Sequence, residues 1–388
     1  MIRLMFVDDE SRVLDGLRRS MHGMRSDWSM RFASTGADAL QQLAQQPADV
    51  VVSDMRMPEM DGSQFLAHVM RLYPETIRFV LSGQSETEAS IRATRSAHRY
   101  LSKPCSAPIL QAAITRATHL KRVLNNDSLA AIVGSVDTLP TPPLTYQQLR
   151  ERLAGPDASI SDVVDVLERD VALTAKVVKL ANSGFFGCRD PVQSIERAVS
   201  FLGMDAISAL VLGKELYDTG CVELVPGFSL ERLGQHSFQT AAWARAVALH
   251  EGLPAAMAER AFLSGVLHDV GRLVFATRHA PSDEQSRQRW RGDTEIQMIR
   301  QHAAAGAYLL GLWAFPESIV EAVLWHHAPS QSGESGLGLS ALLHIGDQLA
   351  HEHDPIAARP ARLETGYLES LDLGDRWPVW SSLRQEIA

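Results

Sequence analysis

The chain is poor in cysteine and has no means of pairing what it has. Among 388 residues only Cys105, Cys188 and Cys221 occur, far apart and without a CxxC spacing. That excludes a disulfide-stapled scaffold and a zinc–thiolate site. Basic charge is also short, with 37 Lys and Arg against 46 Asp and Glu and a net charge of −9. A nonspecific grip on nucleic acid or on an anionic membrane needs the opposite balance. No basic recognition helix is found, so DNA is not an expected partner. Long apolar runs are missing: nothing approaches the ~18 residues of a spanning helix. The opening MIRLMFVDDE turns acidic too early for a secretory leader. No repeat and no Gly/Ser tether occur. These absences point to a reduced, cytoplasmic protein with no membrane role. Its length exceeds one ordinary core, which predicts two domains.

What is present begins with alternation. Strands are expected at Ile2–Val7, Met30–Ala33, Val50–Ser53, Ile77–Leu81 and Tyr100–Leu101, with helix-spaced Leu14, Leu17 and Met21, and Leu40 and Leu43, between them. Such alternation predicts a doubly wound α/β domain, whose site lies at the carboxyl ends of a parallel sheet. The polar residues fall there: Asp8, Asp9 and Glu10 after the first strand, Asp54 after the third, Ser82 after the fourth, Lys103 and Pro104 after the fifth. Three converging carboxylates repel one another unless a divalent cation sits among them, and Mg²⁺ suits hard oxygen ligands. With the metal and Lys103 withdrawing charge, Asp54 can attack a phosphoryl donor to form an acyl phosphate.

FVDDE, VVVSDMRMPEMDG, FVLSG and YLSKP resemble the receiver domain of bacterial response regulators, across a domain expected at 1–124 with a five-stranded parallel sheet. The resemblance implies that Asp54 is the phosphoacceptor, that Asp8 and Asp9 hold Mg²⁺ with it, and that Lys103 contacts the phosphoryl group. It makes Ser82 and Tyr100 a switch pair, with Tyr100 turning inward on phosphorylation, and the Lys103–Pro104 bond cis. The implied phosphodonor is a sensor histidine kinase, in two-component phosphorelay signalling.

A helix is expected from Ser106 to Leu124, broken by Asn125-Asn126-Asp127-Ser128, and LPTPPLT at 139–145 reads as an extended entry into the next domain. From Ser128 onward strand signals vanish, which predicts an all-α domain over 128–388. Helices are expected at Asp162–Glu168 and Val171–Ala181 with Ser161 and Asp170 as N-caps, then at Ile195–Leu202 with Gly203 as C-cap, and again from Asp205. The stretches LERDVALTAKVVKLANSGFFG (167–187) and SIERAVSFLGMDAISALVL (194–212) resemble the HDOD family, the HD-related output domain. Taken singly, Phe185, Phe186 and Phe201 read as helix packing. The tail, with LETGYLESLDL, Trp377 and Trp380, is expected to form a short helix and cover the core.

The histidines fall in a telling order: His236, the His268-Asp269 pair in LSGVLHDVGRL, His302, the His326-His327 pair, then Asp347. Helical spacing turns His236 and His302 inward and puts His344 and His351 on the face of Asp347. Imidazoles and carboxylates converging between helices are how bundles hold metals, and mixed N/O donors favour Fe, Mn or Zn. The order resembles the HD superfamily of metal-dependent phosphohydrolases. By that match His236, His268, Asp269 and Asp347 hold one metal, and His302, His326 and His327 supply a second. Two departures stand out from the HD-GYP cyclic-dinucleotide phosphodiesterases. Ala328 replaces an acidic residue and no GYP loop follows, and Arg272 stands where those enzymes carry Lys, keeping a cation suited to phosphate. Two readings result. One is a response regulator whose helical half acts through other signalling proteins or a second copy of the chain. The other is a receiver-controlled metallophosphohydrolase acting on a cyclic dinucleotide or another phosphoester.

Overall fold

Alternating β-branched runs and amphipathic stretches build the first half of the chain, and helices alone build the described part of the second. The computed structural model describes residues 1–82, 96–124, 126–136, 139, 143–154, 159–182, 190–204, 207, 228–276, 301–353 and 363–383. The chain divides into two compact units, one mainly Met1–Thr138 and the other mainly the residues from Leu139 onward.

In the first unit, β1 (Ile2–Val7), β2 (Trp28–Ala33), β3 (Val50–Asp54), β4 (Ile77–Ser82) and β5 (Arg99–Ser102) form one parallel sheet in the order β2-β1-β3-β4-β5. The expected strands are all present. β2 begins earlier than the sequence pattern implied because Trp28 is buried and pairs with Ile2. The central β3 is buried along its whole length, as its uninterrupted Val run requires of a strand covered on both faces. Helices α1 (Ser11–Ser20), α2 (Gly36–Gln45), α3 (Gly62–Leu72) and α4 (Ala107–Leu124) accompany the sheet among the described residues. Asp61 starts α3 with a capping box, its side chain accepting the Gln64 N–H at 2.8 Å. One core gathers Met5, Val7, Val51, Phe65, Leu66 and Val80. The Lys103–Pro104 bond is cis, as expected. The polar break after α4 is also present, but Asn126 within it is a cap: its side chain accepts the Leu129 N–H at 3.0 Å and starts α5 (Asp127–Gly134).

The second unit contains α6 (Pro143–Ala154), α7 (Ile160–Leu167), α8 (Val171–Ala181), α9 (Ile195–Leu202), α10 (Leu230–His250), α11 (Ala255–Leu267), α12 (Val270–Ala276), most of a helical stretch over 301–312, α13 (Glu317–Trp325), α14 (Leu339–His353), α15 (Thr365–Ser370) and α16 (Trp377–Ser382). No strand occurs among its described residues. Long α10 packs along both α11 and α14.

Three local expectations change. Residues 143–145 of LPTPPLT are helical, because a proline at the first helical position has no N–H to waste and a preset φ. Ser159, not Ser161, caps α7: its hydroxyl accepts the Asp162 N–H at 3.1 Å and Asp162 answers in a capping box, which leaves Ser161 inside the first turn. Phe201 is 39% exposed and does not pack as a core residue. Asp170 caps α8 through the Leu173 N–H at 2.9 Å, and Gly203 ends α9 with φ of 79°, both as expected. The expected helix over 206–216 and the Phe185-Phe186 pair lie outside the described residues, apart from buried Ile207.

The tail forms its short helix, and Trp380 is fully buried. Its indole N–H donates to Glu251 at 2.8 Å, and Arg376 grips the same carboxylate with two bonds of 3.1 and 2.7 Å. No helix among the described residues is long and apolar enough to cross a membrane.

Candidate functional site

A parallel sheet brings the ends of β1, β3 and β5 to one edge, and the acid pocket forms there. Asp8 follows β1, Asp54 ends β3 and Lys103 follows β5. The Lys103 ammonium lies 2.8 Å from Asp8 Oδ2 and 2.5 Å from Asp54 Oδ1. Each acid spends its other oxygen on backbone: Asp8 accepts the Glu10 N–H and Asp54 the Arg56 N–H, both at 3.0 Å. Asp8 and Asp54 are only 2% and 8% exposed. Burial pushes the Asp54 carboxyl above its usual range, Lys103 opposing and Asp8 adding to the rise. Burial would lower the Lys103 ammonium, but its two carboxylate partners outweigh that and raise it. Asp9 is exposed and lines an open groove of about 630 Å³ with Arg56 and Asp61. The donors are all carboxylate oxygens, which fits a hard cation such as Mg²⁺. Ser82 is the last residue of β4, and its side chain lies outside the description. The Tyr100 ring already faces inward, 4% exposed, with a hydroxyl that makes no hydrogen bond and a phenol held well above its usual range by burial.

The second site is built at helix ends. His268 and Asp269 occupy the joint between α11 and α12, and His326 closes α13. Gly271 makes the joint possible: a Cβ there would lie 1.9 Å from the carbonyl oxygen of His302. His268 Nδ1 donates to Gly265 O and His326 Nδ1 to Val323 O, both at 2.7 Å. A carbonyl only accepts, so these bonds fix the proton on Nδ1 and free Nε2 for the interior, the arrangement that orients metal-ligating imidazoles.

The free atoms converge. His236 Nε2 is 3.1 Å from Asp347 Oδ1, and His268 Nε2 is 3.4 Å from Asp269 Oδ2 and 3.7 Å from Asp347 Oδ1. His302 Nε2 lies 3.4 Å from His326 Nε2 and 3.0 Å from His327 Nε2. Asp269 faces both groups, because its Oδ1 is 3.2 Å from His302 Nε2. The two ligand sets expected from the sequence are therefore joined through one carboxylate. Burial lowers His268, His326 and His327, and takes His302 down to about 4, so these rings are neutral near pH 7. Burial would raise Asp269 and Asp347. Arg272 and the surrounding histidines hold Asp269 well below the usual range, and bonds from His236 and His351 do the same for Asp347.

Buried atoms without a hydrogen bond test whether this donor set fits a cation. Asp269 Oδ2, Asp347 Oδ2 and His327 Nδ1 have none, while Asp269 Oδ1 is ion-paired with Arg272. Leaving such groups unsatisfied costs about 1–3 kcal/mol each, more when charged, and a cation would satisfy them. The mixed N/O donors suit Fe, Mn or Zn. Arg272 Nε is 2.9 Å from Asp269 Oδ1, so this guanidinium sits on a carboxylate of the cluster rather than standing free for phosphate.

Comparison with known proteins matches both halves. The family model described as "Response regulator receiver domain" covers residues 4–115, and the one described as "HDOD domain" covers 139–329. The chain is a two-component response regulator with an HDOD output domain. An uncharacterized protein of Treponema pallidum is 27% identical to the regulator over 214 residues, 51% of this chain and 39% of that one. The hydrogenase transcriptional regulatory protein HoxA of Cupriavidus necator is 34% identical over 103 residues, 26% of this chain and 21% of that one. The regulator thus aligns with well under half the length of either relative. The crystal structure of a virulence factor from Campylobacter jejuni shares the fold, at 18% identity and a TM-score of 0.53 over 67% of the regulator and 94% of that chain.

Two histidines of the regulator that share a helix face with Asp347 take different roles. His351, one turn after Asp347, has Nδ1 3.1 Å from Asp347 Oδ1 and 2.8 Å from Asp347 O, and it forms a third possible metal-holding group with His236 and Asp347. Its i,i+4 spacing from Asp347 was the signal that could have added it to the candidate ligands. His344 shares that helix face yet turns elsewhere: Nδ1 donates to His326 O at 2.7 Å and Nε2 accepts the Glu364 N–H at 3.1 Å. It tethers the chain after α14 to the main chain of a cluster histidine.

Proposed function

We propose that Asp54 accepts a phosphoryl group from a sensor histidine kinase in the cytoplasm, and that the HDOD half responds by changing which protein surfaces it presents. The observation that carries this reading is the Lys103 ammonium held between the buried carboxylates of Asp8 and Asp54. Asp8, Asp9 and Asp54 would hold Mg²⁺, which when bound offsets the charge of the incoming phosphoryl group. The Asp54 carboxylate attacks phosphorus, the bond to the donor's leaving group breaks with its electrons, and an acyl phosphate forms. The Arg56 N–H positions the Asp54 carboxylate, and Lys103 follows the charge onto a phosphoryl oxygen. Ser82, at the end of β4, takes another phosphoryl oxygen, and Tyr100 moves with it.

Swinging a population from 1:99 to 99:1 takes about 5.5 kcal/mol of differential stabilisation. One hydrogen bond does not supply that, whereas an altered interface does. The output is accordingly read as protein–protein recognition, with other signalling proteins or a second copy of the chain as partners. In acetyl phosphate and Mg²⁺, the peptide bearing Asp54 is expected to gain one phosphoryl group, and the Asp54→Ala chain none. Gel filtration and partner capture should differ between the two proteins only when the donor is present. An unlabelled wild-type chain overturns the reading.

The second reading, a metal-dependent phosphohydrolase in the helical half, is favoured by the unsatisfied Oδ2 atoms of Asp269 and Asp347. Bound Fe, Mn or Zn would acidify a water for attack on phosphorus. The chain's own part is to aim the Nε2 atoms of His268, His302 and His326 and to keep those rings neutral. Elemental analysis after Fe or Mn reconstitution, paired with a cyclic-dinucleotide hydrolysis assay, tests it. A chain that takes up no metal ends this reading, and one that takes up metal without turnover leaves a structural site.

A further inference from the structure

Arg78 is fully buried near the start of β4, and its guanidinium gathers acceptors from three separate segments. Nε donates to Ser96 O at 2.6 Å, and Nη1 donates to Thr76 O at 3.0 Å and Pro74 O at 3.4 Å. Nη2 reaches His98 Nε2 at 2.8 Å and donates to Gly134 O at 2.6 Å. Gly134 is the last residue of α5, and α5 lies beyond the region matched by the receiver family model. Close approach makes that contact possible: a Cβ on Gly134 would lie 1.8 Å from Pro74 O. The end of α5 is thus pressed against the loop that enters β4, with the Arg78 fork holding its carbonyl.

Both strands of the switch pair lead to this point. β4 carries Arg78 near its start and Ser82 at its end, and His98 precedes β5, which carries Tyr100. His98 is tied to β4 through its own N–H to Arg78 O at 2.8 Å and through its Nδ1 to the Arg78 N–H at 3.1 Å. A short strand held in register by neighbours transmits displacement along its length, because the packed interior around it does not compress.

We propose that α5 is the receiver's output element, clamped by Arg78 and Gly134, and that phosphorylation of Asp54 at the end of the neighbouring β3, felt by Ser82 at the far end of β4, shifts this clamp. Arg78 is a positioning residue in this scheme and touches no phosphoryl group. The proposal rests on the reading of Asp54 as phosphoacceptor for its trigger, while the clamp itself does not depend on it.

The test is hydrogen exchange by the amides of α5 in the full chain, with amides of β1 and β3 as the internal control. Wild type, Arg78→Met and Gly134→Ala are compared with and without beryllofluoride and Mg²⁺, and Asp54 labelling by acetyl phosphate is followed in parallel. Losing a charged donor to a buried carbonyl predicts about ten- to hundredfold faster exchange in α5 of Arg78→Met, with β1 and β3 unchanged. Gly134→Ala, which keeps the guanidinium and serves if Arg78→Met does not fold, is expected to speed α5 in the same way. Beryllofluoride should shift α5 exchange in wild type and not in either variant.

Equal α5 exchange in wild type and Gly134→Ala overturns the clamp. Exchange that rises equally across β1 and β3 also overturns it, since that is general destabilisation. A wild-type chain that labels at Asp54 yet shows no change in α5 overturns the coupling while leaving the phosphoacceptor reading intact. A chain that does not label overturns the trigger, and the comparison of variants still decides the clamp.

Discussion

At the residue scale, Asp170 shows how a position can serve one purpose at the expense of another. Its Oδ1 caps α8 through the Leu173 N–H, while Oδ2 is buried without a hydrogen bond. Burial raises its carboxyl from the ordinary aspartate range to about 6. A folded-state value above the unfolded one means that the folded chain holds this proton more tightly. The stabilising contribution is therefore complete below about pH 4 and is lost as pH rises to about 6. Asn caps a helix about as well as Asp and has no charge to bury. Asp170→Asn is expected to raise stability at pH 7 by on the order of 2–3 kcal/mol and to flatten its dependence between pH 4 and 6. Urea unfolding at several pH values reads both effects, and an unchanged profile refutes the assignment. At the other end of the scale of consequence, Ser159→Ala removes only a cap at an exposed helix start and should cost about 1 kcal/mol in the same assay.

At the scale of elements, packing makes stronger demands than propensity. Gly271 sits where a Cβ would meet His302 O at 1.9 Å and Gly306 N at 2.7 Å, all backbone atoms that cannot step aside. Gly271→Ala is expected to destabilise the helical unit by about 2–4 kcal/mol. It should also lower metal uptake if the cluster holds metal, read by thermal unfolding and elemental analysis. The same contact explains what was legible in LSGVLHDVGRL: a His-Asp pair among small residues marks a joint where helices come unusually close. The strands of the first unit were legible because a buried parallel strand is a near-continuous apolar run, and the acids at their ends stood out for being where charge is costly. Helix α5 was not legible as part of the first unit. Its start, Asn126-Asp127-Ser128, has the composition of a loop, and the side chain that turns it into a cap is visible only once the Leu129 N–H is placed. Ser161 lost to Ser159 for a similar reason, since two serines two residues apart offer equal capping chemistry and only the reciprocal bond with Asp162 decides between them.

At the scale of the whole molecule, the order of histidines along the chain foretold their meeting but not its form. Residues from α10, the α11–α12 joint, the 301–312 stretch, α13 and α14 converge, and Asp269 touches both ligand sets. Periodicity turns a side chain inward, but it does not say which carboxylate faces two ways, or that Arg272 closes on Asp269. If the cluster holds metal, Asp269→Ala is expected to empty both sets, whereas His327→Ala, at the more exposed edge, should weaken one. Metal-to-protein ratios after dialysis distinguish these outcomes, and equal retention in the two variants argues against the shared carboxylate.

The far end of the chain carries a different consequence. Glu251 closes the corner between α10 and α11, and its hydrogen-bond partners among the described residues are Arg376 and Trp380, more than a hundred residues later. Those three bonds, two from Arg376 and one from Trp380, outweigh burial and keep its carboxylate below the usual range. This corner gains its counter-charge only once Arg376 has been made and has folded back. Chains shortened ahead of Gly374 should reach the same helices yet leave them open to protease at that one corner.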